Sequence, residues 1–382
     1  MIRLRRLAAR FAPHGFRFVA AVKNTMSASA LAAAGVEILQ APVWPGTFQN
    51  GAQRAVRSSV TLGDTLGDLG LADEQALPML IGAWDRLLAV IAPDLVIADY
   101  APAVSLAARG RIPLALIGNG FTLPPAEMEK FPLLHELSAP VWAEDRLVEI
   151  VNSSLRSFGL QPLKRLPQLF AGDVRWVQTF PLLDPYNSWR ERPVEGPMLD
   201  RLPDPRRPDA HEILVYISGE LGTRTQILGL LKSVAGRVRV FAPVLPPDEL
   251  ERLASFGMRI EKTPFRLAEE LASARLVIHH GSTGGVSAEA LIAGVPQLVL
   301  SIDIEKDLTG AAMERAGIGK LLKIHDPAAL ISADSFESIL NDEAIADRAR
   351  EVGNFHRLMF QNADPLSDFE TSCMNVMGGT KP

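Results

Sequence analysis

The run HHGSTGGVSAEALIAGVPQLVL, from His279 to Leu300, constrains the fold more than any other stretch of the chain. An apolar run, Arg275-Leu-Val-Ile-His, leads into it, as in a strand covered on both faces. Gly281, Gly284 and Gly285 then let the backbone turn and lie close to a ligand. Ala288, Ala290, Leu291 and Ala293 are helix formers, and Gly294 stops the helix. Val295-Pro296 opens the next buried strand. A strand, a Gly-rich turn and a helix N-terminus together present free N–H groups and partial positive charge, which suits a phosphate. A histidine at the strand end adds a hydrogen bond or a charge.

No Gly-Lys-Ser/Thr follows, so the turn is not a P-loop, and its spacing is not the dinucleotide GxGxxG. The run instead resembles the donor-site motif of GT-B glycosyltransferases of the UDP-glycosyltransferase type. That motif reads His-Gly-Gly-x-Gly-Thr-x-x-Glu-Ala-Leu, then Gly-Val-Pro, then Asp/Glu-Gln. The resemblance implies that His280 and the amides of Gly281, Ser282, Gly284 and Gly285 hold a diphosphate, and that Glu289 holds the ribose hydroxyls. Ser282 stands where the family has its second glycine, and Glu289 lies one residue further from His280 than in the family. After Gly-Val-Pro, the Asp/Glu-Gln pair that accepts hydrogen bonds from the donor sugar is matched by Glu305-Lys306. Lys306 is a charged donor in place of Gln, suited to an anionic donor or the diphosphate, or to pairing with Glu305 or Asp307.

With 382 residues, 47% of them hydrophobic and 22% charged, the chain has the composition of a globular protein of two or three domains. Acidic residues outnumber basic ones, 44 to 39, which gives no electrostatic draw toward nucleic acid. A single Cys373 excludes an internal disulfide and fits a reducing, cytoplasmic setting. No apolar run reaches the roughly 18 residues of a membrane span. The first residues, MIRLRRLAARF, place Leu4, Leu7, Ala8 and Phe11 on one helical face. This reads as a core-packing helix, with peripheral membrane contact as the second reading.

Strands and helices alternate through most of the sequence, which argues for parallel α/β sheets. The first half reads helix 1–11, strand 16–22, helix 27–33, strand 36–39, helix 74–91, a strand from Asp94 into Asp99, and strand 113–117. Prolines at 193, 197, 203, 205 and 208, with Arg and Asp between them, read as an exposed linker. The second half restarts with Ile213-Leu-Val-Tyr-Ile-Ser, which enters Gly219, and a capping-box spacing starts a helix at Thr223. The fold class is therefore α/β, and the resemblance implies GT-B: two Rossmann-like domains with a cleft between them. The expected division is an acceptor-binding domain over 1–192, a linker over 193–210, a donor-binding domain over 211–345, and helices over 346–382 that cross back to the first domain. Ligands of such sheets lie at the carboxyl ends of strands, where Ser218, Gly219 and His280 fall.

The expected function is transfer of a sugar from a UDP- or dTDP-sugar to a hydroxyl of a small apolar or lipid-like acceptor. The transfer is expected to be inverting. The nucleotide sugar is a substrate, and no cofactor is expected. With no Asp-x-Asp at a strand end, no metal is expected either. Bacterial members of the family are the ones resembled, through PDLVIADYAPAVSLAARGRIPLALIGNGFTLPP from Pro93, VNSSLRSFGLQPL from Val151 and TFPLLDPYNSW from Thr179. Family members carry a base histidine in the loop after their first strand and an Asp about a hundred residues later that orients it. Asp99 matches that Asp. The strand and the histidine loop have no counterpart among these residues, and His14 is not assigned the role. Trp44, Phe48, Trp84 and Phe121 are candidates to line the acceptor pocket. Two alternatives stand beside the transferase: a nucleotide-binding homologue impaired by lack of a base, and a UDP-sugar 2-epimerase of the same fold.

Overall fold

The structure is a computed structural model that describes residues 2–44, 59–134, 139–199, 201–217, 225–282, 284–324 and 333–378. In chain order the elements are α1 (Ile2–Phe11), β1 (Val19–Val22), α2 (Ser29–Ala32), β2 (Glu37–Gln40), α3 (Leu62–Leu66), α4 (Ala76–Ile91), β3 (Val96–Asp99), α5 (Pro102–Ala108), β4 (Leu114–Gly118), α6 (Glu144–Arg156) and β5 (Val174–Val177). They continue with β6 (Glu212–Tyr216), β7 (Val238–Phe241), α7 (Pro247–Ser255), β8 (Arg259–Ile260), α8 (Leu267–Glu270), β9 (Ala274–His279), α9 (Val286–Ala293), β10 (Gln297–Ser301), α10 (Ile304–Arg315) and β11 (Gly319–Lys323). Three helices close the chain: α11 (Ala333–Asn341), α12 (Glu343–Phe360) and α13 (Pro365–Gly378).

The chain divides into two units. One comprises Met1–Val177, Ser188–Arg192 and Asp364–Pro382, and the other Gln178–Asn187 and Pro193–Ala363. In the first unit β1 pairs with β2, and β3, β4 and β5 form a second sheet, all parallel. Among the described residues β1 and β3 do not pair. Helix α1 is a core element: Leu7 is fully buried, Phe11 nearly so, and Ala8 packs with Ala20, Val22 and Leu31. That burial commits its apolar face to the protein, so the membrane-surface reading of this helix is set aside. Helix α13 belongs to this unit, its Phe369 ring stacked 4.6 Å from Trp176.

The second unit is one parallel sheet in the order β11-β10-β9-β6-β7-β8. β6 and β9 are the strands from which successive connections run in opposite directions, so their carboxyl ends flank the topological switch point. Ile213, Leu214, Val215, Val277, Leu298, Val299 and Leu300 are buried, as expected of strands covered on both faces.

Two boundaries differ from those read in the sequence. The proline-rich segment is packed into the second unit: Val194, Met198, Arg206 and Ala210 are buried. Proline has no N–H to satisfy, and three of the N–H groups that remain donate to carbonyls of helical segments, Asp204 to Ala268 O, Arg206 to Ala293 O and Arg207 to Ala272 O. At the other end, α12 stays with the second unit, because Ala349 packs among Leu291, Met313 and Ile318, and the crossing falls at Asp364. The helix read from Thr223 is described only as Thr225–Arg237, a run of 3₁₀ turns broken at Val234.

Candidate functional site

The strand-turn-helix of the sequence is present. β9 ends at His279, the chain turns through Gly281, and α9 starts at Val286. His279 is the last residue of the strand and His280 the first beyond it, and the two have different duties. His279 points inward and is 1% exposed. Its Nε2 lies 2.9 Å from Gln297 Oε1, and its Nδ1 accepts the Gly281 N–H at 2.9 Å. Gln297 Nε2 donates to Ser287 O at 3.2 Å, which fixes the amide orientation and thereby the histidine tautomer, with the proton on Nε2. Burial pushes the His279 pKa down to about 4, with the Gln297 bond opposing, so the ring is neutral and serves as an acceptor.

Gly281 is required where it stands. Its φ is +84°, and a Cβ there would meet Val299 Cγ1 at 2.8 Å and Lys306 Cβ at 3.2 Å. The turn is thus pinned from below by His279 and from the side by β10 and α10. Helix α9 has no side-chain cap at Gly285; the Ala288 N–H donates to Gly285 O at 3.0 Å, and the Val286 and Ser287 N–H groups at the start of the helix are the ones that face a ligand or solvent.

His280 is half-buried on the outer side of the turn, and its Nδ1 is shut from solvent with no hydrogen-bond partner among the described residues. Burial lowers its pKa, and the Lys306 charge lowers it further against Asp303. At neutral pH this ring is therefore a hydrogen-bonding group rather than a cation. The cation is Lys306, at the start of α10. Its Nζ lies 2.7 Å from Glu305 Oε2 and 3.7 Å from Asp303 Oδ2, and both Lys306 and Glu305 side chains are 16% exposed. Burial lowers the Lys306 pKa, but the Glu305 and Asp303 charges outweigh it and the net shift is upward, so the ammonium stays charged. Asp303 also caps α10, accepting the Lys306 N–H at 3.1 Å.

His280, Gly281 and Lys306 are therefore brought together, with Glu305 paired to Lys306. Glu289 lies in the first turn of α9, where its charge acts on Tyr216 at the end of β6. Tyr216 and His279 are register partners across β6 and β9, so this pair marks the switch point from both strands. Ser282 and Gly285 stand at the mouth of the helix, a Cβ on Gly285 lying 3.5 Å from Ser282 Oγ. Gly284 follows in the same turn. Ser218 and Gly219 lie outside the described residues, as does Phe48. His279, Gln297 and Ser287, which hold the turn, were not singled out from the sequence. The signal available there was a Gln inside an otherwise apolar strand, since a buried amide needs partners.

No family model matches the chain. It is 28% identical over 271 residues to a PGL/p-HBAD biosynthesis rhamnosyltransferase of Mycobacterium bovis (strain BCG / Pasteur 1173P2), covering 62% of this chain. The chain spans 58% of the length of that relative. It is 27% identical over 298 residues to the elloramycin glycosyltransferase ElmGT of Streptomyces olivaceus, covering 73% of this chain and 69% of that one. Among solved structures, the calicheamicin glycosyltransferase CalG4 superposes with a TM-score of 0.69 at 21% identity, over 98% of this chain and 94% of that one. The fold is GT-B. Glycosyltransferase VinC, in complex with dTDP, shares it at a TM-score of 0.64 and 14% identity, over 98% and 96% of the two chains. So does the spinosyn rhamnosyltransferase SpnG complexed with spinosyn aglycone, at 0.65 and 19%, over 96% and 95%.

The first unit of this GT-B chain carries Asp99 at the end of β3. Its Oδ1 accepts Arg3 Nη1 at 2.7 Å. Burial raises the Asp99 pKa, against the Arg3 charge that lowers it. The next residue, Tyr100, has φ +45°, an uncommon conformation for a side chain of its size. Trp84 and Phe121, named as acceptor-lining candidates, are 8% and 4% exposed and serve the core, while Trp44 is half-buried. Large aromatics stabilise most where they are fully covered, which is why these two are inside.

Proposed function

We propose that this chain is a glycosyltransferase that binds a nucleoside diphosphate sugar at the turn after β9. The observation that carries the reading is the pinned turn itself. A neutral His279 fixes Gly281, leaving His280 Nδ1, the α9 N-terminus and the Lys306 ammonium around one place. Neutral donors, a helix dipole and one cation suit a diphosphate that gains charge as it leaves. In the inverting reaction the acceptor oxygen bonds to the anomeric carbon as the bond from that carbon to the phosphate oxygen breaks. The acceptor proton passes to a base, and the nucleoside diphosphate departs. Asp99 is proposed as that base or the group that positions it, because burial raises its proton affinity.

UDP or dTDP as the nucleotide, a small apolar or lipid-like acceptor, and independence of metals and cofactors are parts of the same proposal. The name of one relative, a rhamnosyltransferase, supports a deoxyhexose as the sugar. Release of free nucleoside diphosphate from UDP-glucose and dTDP-rhamnose, followed with and without a polycyclic phenol and with chelator added, tests the reading. Acceptor-dependent release that survives the chelator supports it, and none with either donor argues against it. One observation favours a second reading, a nucleotide-binding homologue of reduced activity. The Asp99 carboxylate is engaged by Arg3, and no histidine among the described residues pairs with it. That reading expects nucleotide binding without release.

A further inference from the structure

Arg206, in the proline-rich segment, is only 6% exposed. Its N–H donates to Ala293 O at 2.7 Å, which holds it at the last residue of α9. Its guanidinium is not matched in this way. Nε and Nη1 are shut from solvent without a hydrogen-bond partner among the described residues. Burial weighs most against its charge, the charges of Arg275 and Arg350 add to that, and those of Glu343 and Asp347 oppose it. Each of the two neighbouring arginines has its own carboxylate: Arg275 Nη2 lies 2.8 Å from Glu343 Oε1, and Arg350 Nη1 lies 2.8 Å from Asp347 Oδ1. Three guanidiniums thus share two carboxylates, both already committed. The cluster is one anion short at its most buried member.

An arginine cannot escape this by losing its proton. A buried charge without partner is among the costliest arrangements a fold can hold. We propose that Arg206, with Arg275 and Arg350 beside it, forms a binding site for a small phosphate-class oxyanion. The planar guanidinium matches such an ion in shape and in donor count. Only 6% of Arg206 is exposed, which suits a small ion rather than a membrane or a nucleic-acid strand. The site is separate from the turn at His280: it lies at the opposite end of α9, an eight-residue helix about 12 Å long. It does not depend on the glycosyltransferase reading.

Inorganic phosphate is the probe, titrated by calorimetry and by thermal shift, with chloride at matched ionic strength as control. The wild-type chain is expected to bind phosphate and to melt higher in its presence. Arg206→Met, which keeps volume and drops charge, is expected to weaken binding about tenfold or more. Without phosphate it is expected to melt no lower than wild type, because an unpaired buried charge has gone. His280→Ala is expected to bind phosphate at the Arg206 site as before. Should Arg206→Met fail to fold, Arg350→Met, at a half-exposed position, replaces it and is expected to weaken binding several-fold. Phosphate that shifts neither heat nor melting of the wild type overturns the proposal. So does phosphate binding left undiminished when Arg206→Met, or Arg350→Met where that variant stands in, is combined with His280→Ala, and binding lost only in His280→Ala.

Discussion

His279 Nε2 stands 2.9 Å from Gln297 Oε1, and this one contact decides which nitrogen of the ring faces the turn. With the proton on Nε2, Nδ1 is free to accept the Gly281 N–H. His279→Ala removes that acceptor and strands the Gln297 Oε1 in the core, the Nε2 keeping its bond to Ser287 O. The expected cost is about 2–4 kcal/mol of stability. Chemical denaturation reads it, and the variant should also bind nucleotide more weakly, because Gly281 is no longer held.

The same ring makes stability depend on pH. The folded His279 has its pKa near 4, below the value of about 6.5 in the unfolded chain. Between these values the unfolded state binds more protons, so stability falls as pH drops through the window. The expected loss is about 3 kcal/mol from His279. His356, 5% exposed and also lowered to about 4 by burial, acts in the same direction. Denaturant midpoints measured from pH 7 to pH 4 check this, and His279→Gln should flatten the curve.

Gly281→Ala tests the turn without touching a polar group. The added Cβ meets a positive φ and Val299 Cγ1 at 2.8 Å. A loss of about 1–3 kcal/mol is expected, with nucleotide affinity reduced alongside. A variant as stable and as tight as wild type would mean that the turn is free to relax.

How much of this was legible beforehand follows from what each residue's neighbours are. The turn could be read because strand, glycines, helix and Gly-Val-Pro lie consecutively, and local rules reach that far. The lock on the turn could not, because Gln297 and His279 meet only when β10 pairs with β9. The proline-rich segment failed for a related reason: its composition is that of a linker, but its free N–H groups find carbonyls at Ala268, Ala272 and Ala293, far along the chain. Trp84 and Phe121 show the limit for apolar residues, since an aromatic lining a pocket and one filling a core look alike in a sequence.

Lys306→Gln should act on donor choice more than on nucleotide. The Lys306 ammonium holds Glu305 Oε2 at 2.7 Å, and its loss removes the cation that competes with sugar hydroxyls for that oxygen. The ranking of donors by kcat/KM is expected to move toward fully hydroxylated sugars, while affinity for free UDP changes little. Equal changes for every donor and for UDP would make Lys306 a phosphate contact alone.

Asp99→Asn keeps the shape and much of the hydrogen bonding but removes the basic oxygen beside Arg3. If Asp99 serves the proton transfer, kcat falls about 10²–10⁴-fold while donor binding holds. An unchanged kcat assigns the Arg3–Asp99 pair to stability.

The central claim is that the turn after β9 holds a nucleoside diphosphate through His280. Calorimetric titration of UDP and dTDP into wild type and His280→Ala, with matched melting curves for the two proteins, tests it most directly. The account predicts tight binding to the wild type and a loss of about 1–3 kcal/mol, roughly tenfold or more, in the variant. Identical affinities in two equally folded proteins would contradict it.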